Sequence, residues 1–117
     1  MACMENLLDA LEECGEASAF YKKDKILMAN EHFAELFEKS PEECKDLPIM
    51  DICHVESMEM VDDYMKRRVH GDPDVPKVYS ASFVKADDSR IKLEVNVLET
   101  KNTDGAFLAV VSKTGRD

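Results

Sequence analysis

The chain has 117 residues, 44% of them apolar and 34% charged, with 15 basic against 25 acidic side chains and a net charge of −10. That length fits one domain and is too short for two, and it buries about two thirds of the unfolded surface without metal or disulfide staples. The acidic balance argues against nucleic acid and against direct contact with anionic membranes, since both partners need clustered Lys and Arg.

Met4 to Cys14 reads as a helix, with Met4, Leu7, Leu8, Leu11 and Cys14 recurring every three or four residues and Glu5, Asp9, Glu12 and Glu13 opposite. Gly15 stops it. Ala17 to Lys22 and Ile26 to Ala29 are short apolar runs about Lys23-Asp24-Lys25, which predicts a hairpin with Asp24 supplying the turn. Asn30 is placed to cap a helix that buries Phe33, Leu36 and Phe37. A second helix starts at Ser40-Pro41-Glu42-Glu43, where Ser caps, Pro fills the first turn and the acids favour the positive end of the dipole. Pro48 ends it, and Ile49 to Cys53 makes one further turn. Glu56 to Val69 is the longest helical segment, with Met58, Val61, Met65 and Val69 on one face. From Lys77 the period becomes two. Tyr79, Ala81 and Phe83 alternate with polar neighbours, as do Ile91, Leu93, Val95 and Val97. Ala86 to Ser89 and Asn102 to Gly105 turn these strands into a third, Phe107 to Val111. Strand runs and helix runs are segregated, so the fold class is α+β with one antiparallel sheet.

No apolar run approaches the roughly 20 residues of a membrane span. The start, Met1-Ala2-Cys3-Met4-Glu5-Asn6, lacks the basic and apolar stretches of a signal peptide. The expected location is the cytoplasm, where thiols stay reduced. Cys3, Cys14, Cys44 and Cys53 show no CxxC spacing and read as small semi-buried hydrophobes. Lys66-Arg67-Arg68 reads as a solvated face.

This element order resembles the PAS order. Asn30-Glu31-His32-Phe33-Ala34-Glu35-Leu36-Phe37 followed by Ser40-Pro41-Glu42-Glu43 is similar to the family's "N-x-x-F-x-x-L-x-G-x-[ST]-x-E-E" pattern, and Ile52-Cys53-His54-Val55-Glu56 to its "I-H-P-E-D" entry to the long helix. Asp104-Gly105 is similar to its later hairpin. Glu38 and Lys45 stand where the family commonly has glycine, Asp88-Ser89 where it has Asp-Gly, and Ser112-Lys113-Thr114 where Asp-Ile-Thr often closes it. The resemblance implies a five-stranded antiparallel sheet with helices packed on one face and an N-terminal flanking helix. Residues 1–15 are then the flanking and dimerisation helix, 16–114 the core, and 115–117 the start of a linker to an effector outside the chain. It also implies a sensory module that binds a small ligand or partner and relays a change to an output domain, such as a histidine kinase or a cyclic-dinucleotide enzyme. The rival reading is a ligand-free scaffold that dimerises or assembles subunits.

Candidate pocket residues are Met28, Phe33, Phe37, Ile52, Met58, Val61, Met65, Phe83, Leu93, Val95 and Phe107, an apolar interior in which methionine is adaptable enough to open for a ligand. A homodimer is expected through Met4, Leu7, Leu8 and Leu11, whose stripe is too broad for one narrow seam. Neither a catalytic nor a metal constellation emerges, so the chain is not expected to be an enzyme. Cys53-His54 is adjacent in sequence and points in two directions. Haem is disfavoured because the long helix has no His before His70, while His32 lies away from Phe33 and Phe37. Light-sensing flavin is disfavoured because Cys53 lacks the "N-C-R-F-L" surroundings. The identity of any cofactor stays open.

Overall fold

A computed structural model describes residues 2–101 and 103–114. The elements in chain order are α1 (Ala2–Glu13), β1 (Ala17–Lys22), β2 (Lys25–Ala29), α2 (Glu31–Leu36), α3 (Pro41–Cys44), a 3-10 turn (Ile49–Ile52), α4 (Val55–Val69), β3 (Val78–Val84), β4 (Arg90–Glu99) and β5 (Phe107–Lys113). Asn102 of the last predicted turn and the expected linker, 115–117, lie outside the described residues. The strands form one antiparallel sheet in the order β2-β1-β5-β4-β3. β5 is the middle strand because the β3-β4-β5 meander returns to pair with β1, joining the two ends of the chain.

Alternation decides which side of the sheet each residue serves. On β4, Leu93, Val95 and Val97 are buried while Lys92, Glu94 and Asn96 are exposed. This inner face is roofed by α2, α3, the 3-10 turn and α4, and the main core forms between them. The outer face carries a row running Met28, Phe20, Leu108, Leu98 across β2, β1, β5 and β4. Helix α1 lies over part of this row, so Met4 and Leu8 are buried with Phe20, Ala106 and Leu108. Gly15 takes left-handed backbone (φ 80°) and Glu16 N–H closes on the Leu11 carbonyl at 2.9 Å, turning the chain from helix into β1.

Met4 and Leu8, expected at a dimer interface, pack within the chain. Both side chains are spent on the chain's own sheet, at 5% and 4% exposure. Leu7 and Leu11 are half-buried. The reason is that the outer face is itself apolar, so the helix stripe has an intramolecular partner. Burying a leucine there stabilises the docking by about 2 kcal/mol.

Two details of the hairpin also differ from expectation. Lys23, not Asp24, takes the left-handed turn position (φ 57°). Between Phe20 and Tyr21 the register shifts, with Phe20 opposite Met28 and Tyr21 opposite Ile26, which leaves Leu27 as an extra residue. Ser40 caps α3 more fully than expected: its Oγ accepts from Glu43 N–H at 3.2 Å while the Glu43 carboxylate accepts from Ser40 N–H at 2.8 Å. Among the described residues no helix is long and apolar enough to cross a membrane.

Candidate functional site

Between the inner face and its helical roof lies an apolar cavity of about 50 Å³. Engineered apolar cavities of about 150 Å³ take benzene, so this one holds only a few heavy atoms as it stands. Phe33 and Phe37 wall it from α2, their rings 5.0 Å apart, and Phe37 meets Phe83 of β3 edge-on at 6.0 Å. Val61 and Met65, a turn apart on α4, close the roof with Ile52 of the 3-10 turn. Leu93 and Val95 form the floor.

Three expected pocket residues lie elsewhere. Met28 is on the outer face against the α1 cluster, because the extra residue Leu27 changes the phase of β2 and turns Ile26 inward instead. Phe107 is on the inner face but at the end of β5, where its ring packs at 5.7 Å on Tyr21, which stands between it and the cavity. Met58 packs on the core from the first turn of α4 and does not reach the lining. The lining also includes small inward residues that sequence reasoning missed, Ala19, Ala109 and Val111, together with Ile26 and Ile49. Tyr21 and Tyr79 are missed as well. Their phase signalled it: Tyr79 alternates with Ala81 and Phe83, and Tyr21 with Ala17 and Ala19.

The two tyrosines are the polar part of this wall. Burial pushes the Tyr21 phenol above its ordinary value, while the Arg68 guanidinium beside it pulls partly the other way. Burial raises the Tyr79 phenol further, and the neighbouring Tyr21, Cys53 and Tyr64 add to the rise while Arg68 opposes it. Tyr64 of α4 meets Tyr79 edge-on at 5.0 Å. Arg68 is therefore more than the solvated charge expected of it; half-buried, it donates from Nη2 to the Pro76 carbonyl at 2.7 Å.

Asn30 joins the cavity wall to the flanking helix. Its Oδ1 caps α2, accepting from Phe33 N–H at 3.0 Å, and also accepts from Ser18 N–H at 3.1 Å. Its Nδ2 donates to the Glu16 carbonyl at 2.8 Å and to Ser18 Oγ at 2.9 Å, with the Leu8 carbonyl of α1 at 3.5 Å. Beside it His32 N–H donates to Glu12 Oε1 at 3.0 Å, and His32 Nδ1 stands 2.6 Å from Glu12 Oε2. That second contact is close but not aligned as a hydrogen bond, and the carboxylate beside it raises the imidazole above its ordinary pKa. His54 caps α4 through Nδ1, which accepts from Glu56 N–H at 3.1 Å.

The titratable groups in the cavity lining are the two phenols. Among the described residues no group of His, Cys, Asp or Glu side chains is arranged to hold a metal ion. The lining does not fit haem, for it offers no imidazole and a fraction of the volume. It does not fit flavin either. Cys53 is buried at the end of the 3-10 turn, bridged to Phe83 and outside the lining, and burial pushes its thiol up to about 11. Cys44 is buried too, whereas Cys3 and Cys14 are exposed, which corrects the semi-buried expectation for those two.

No protein-family model and no curated protein matches this sequence. Solved structures do. A PAS domain from Desulfitobacterium hafniense superposes with a TM-score of 0.75 at 15% identity, covering 91% of this chain and 99% of that one. A structure described as bearing on light-oxygen-voltage domain mechanism with a flavin analogue gives 0.70 at 15% identity, over 96% of this chain and 87% of that one. A PAS domain from a two-component sensor histidine kinase gives 0.65 at 15% identity, over 94% and 95%. These likenesses extend over nearly the whole chain, and this protein has the PAS fold.

Proposed function

We propose that the chain is a sensory signalling module: a small ligand or a partner favours one packing of the cavity wall, and α1 conveys that bias to an output domain. The observation that carries this reading is the Asn30 junction, where one side chain holds α2, β1 and the end of α1 together. A shift of Phe33 in the cavity moves the first turn of α2, and Asn30 ties that turn to the middle of α1 and to the chain leaving it. A module of this kind needs a bistable element that the ligand biases, and α1, clasped to the sheet by a small separate cluster, supplies one. A histidine kinase is the output suggested by one neighbour's description. The unpaired cysteines suit a reducing compartment, so we place the module in the cytoplasm.

Xenon tests the relay, because it enters small apolar cavities without polar contacts. Pressurising the ¹⁵N-labelled chain should shift amides around the cavity and also those of Leu8 and Glu12 in α1. Shifts confined to the cavity wall would remove the relay. The scaffold reading draws on one further observation, the 43% exposure of Leu98 beside the α1 cluster. A second copy covering Leu98, Leu7 and Leu11 would complete that row.

A further inference from the structure

We infer that the cavity takes a small monocarboxylate, its short hydrocarbon tail among Phe33, Phe37 and Leu93 and its carboxylate at the Tyr21 and Tyr79 hydroxyls, backed by Arg68. The inference rests on the ligand-binding reading above and names the ligand class.

The cavity is apolar except at these two phenols. No described residue exchanges a hydrogen bond with the Tyr79 hydroxyl, although the side chain lines the cavity. Tyr79 is half-buried, so its hydroxyl keeps a free donor that a bound acceptor can take up. Tyr21 faces the same space, with the Arg68 guanidinium beside its hydroxyl. A cation next to a phenol oxygen polarises its O–H and makes it the stronger donor.

The sign of the ligand follows from the charges. This chain is acidic, and two of its three described arginines are paired with carboxylates: Arg67 with Asp63 and Asp72, and Arg90 with Glu56. Among the described residues Arg68 has the Pro76 carbonyl and the Tyr21 phenol and no carboxylate. Its charge is left for an anion, in half-buried surroundings where a charge-assisted contact is stronger than in water. A cationic ligand would meet that charge unfavourably. Donors at one end and hydrocarbon elsewhere select an amphiphile with an anionic acceptor head. On the scale at which about 150 Å³ takes the six carbons of benzene, 50 Å³ seats about two carbons of the tail, and Met65 in the roof is adaptable enough to admit a third.

Butyrate, 1-butanol and butylammonium each have a four-carbon chain and differ in the head. Each is titrated into the ¹⁵N-labelled chain at fixed ionic strength, following amides of Tyr21, Tyr79 and Phe33. Butyrate should give saturable shifts, butanol weaker ones and butylammonium none. Tyr79→Phe, which keeps the ring, and Arg68→Gln, which can still donate to the Pro76 carbonyl, should each weaken butyrate about tenfold and leave butanol within about twofold. If butanol binds as tightly as butyrate, or both variants leave butyrate unchanged, the carboxylate assignment falls while the cavity remains a ligand site. If none of the three saturates, the inference falls, and an accompanying failure of xenon to enter would remove the cavity reading with it.

Discussion

Replacing Asn30 by alanine should cost well over the loss of a helix cap. A cap alone is worth about 1 kcal/mol. Here the side chain is 6% exposed, and its Oδ1 is the acceptor for two backbone donors, Ser18 N–H at 3.1 Å and Phe33 N–H at 3.0 Å. Alanine leaves both N–H groups unpaired, and water reaches the Ser18 site poorly because Ser18 is fully buried. Each orphaned buried donor costs about 1–3 kcal/mol. The Glu16 carbonyl and Ser18 Oγ lose their donor as well. The total comes to about 3 kcal/mol, or a fall in Tm of about 12 °C for a chain of this size. Urea unfolding at constant m-value measures it directly. Ser18→Ala combined with Asn30→Ala should cost less than the two singly, because one network is lost once. A loss of 1 kcal/mol or less for Asn30→Ala would show that the residue is merely a cap and that α1 and α2 are not joined through it.

The remaining predictions concern α1. The Glu12 carboxylate against the imidazole is the largest influence raising the His32 pKa; burial acts to raise the Glu12 carboxyl, but its contacts with His32 more than offset that and leave it lowered. Glu31 and Glu35 also face His32 and raise it further. Because the folded pKa is raised above the unfolded value of about 6.5, the stabilisation is fully present below that value and is lost as pH rises through the folded pKa. Hydrogen exchange of α1 amides should therefore quicken on going from pH 6 to pH 8 beyond the intrinsic rate change. His32→Gln should abolish that extra dependence, and an unchanged profile in the variant would refute the pairing. Leu8→Glu should unfold the α1 clasp, at a cost of about 3 kcal/mol or more for a buried charge, whereas Leu98→Glu should stay within about 0.5 kcal/mol of the parent. If a second copy covers Leu98, sedimentation of Leu98→Glu should show a monomer where the parent is a dimer; a parent that is monomeric at high micromolar concentration ends that reading.

Most of the architecture was legible because periodicity changes sharply along the chain. The threefold and fourfold spacing of Val61 and Met65 and the twofold spacing of Leu93, Val95 and Val97 assign their faces without reference to anything distant. Asn30 and Ser40 announce their helices by residue type. The errors have physical sources that local pattern does not carry. Leu27 looks like any strand residue, yet by lacking a partner it rotates Met28 out of the cavity. Met4 and Leu8 have a helix stripe whose partner, Phe20 and Leu108, lies on strands 12 and 100 residues onward from Leu8. Tyr21 and Tyr79 are hidden for the opposite reason: each occupies an inward position by its phase, but a hydroxyl sets it apart from an apolar pattern. In a half-enclosed cavity that hydroxyl is the informative atom.

The segment between α3 and α4 touches both margins of the sheet. Near its start, Ile26 N–H of β2 donates to the Leu47 carbonyl at 2.9 Å, and Asp46 N–H returns to the Ile26 carbonyl at 2.8 Å. Near its end, His54 N–H donates to the Ser82 carbonyl of β3 at 3.0 Å, beside the bridge from Cys53 to Phe83. One connection therefore occupies hydrogen-bonding positions on each outermost strand, the positions through which sheets otherwise recruit further chains. Lengthening the sheet by a foreign strand would first require stripping this connection from β2 or β3, and with it part of the cavity roof. Strand addition at these positions is thereby disfavoured in the folded state.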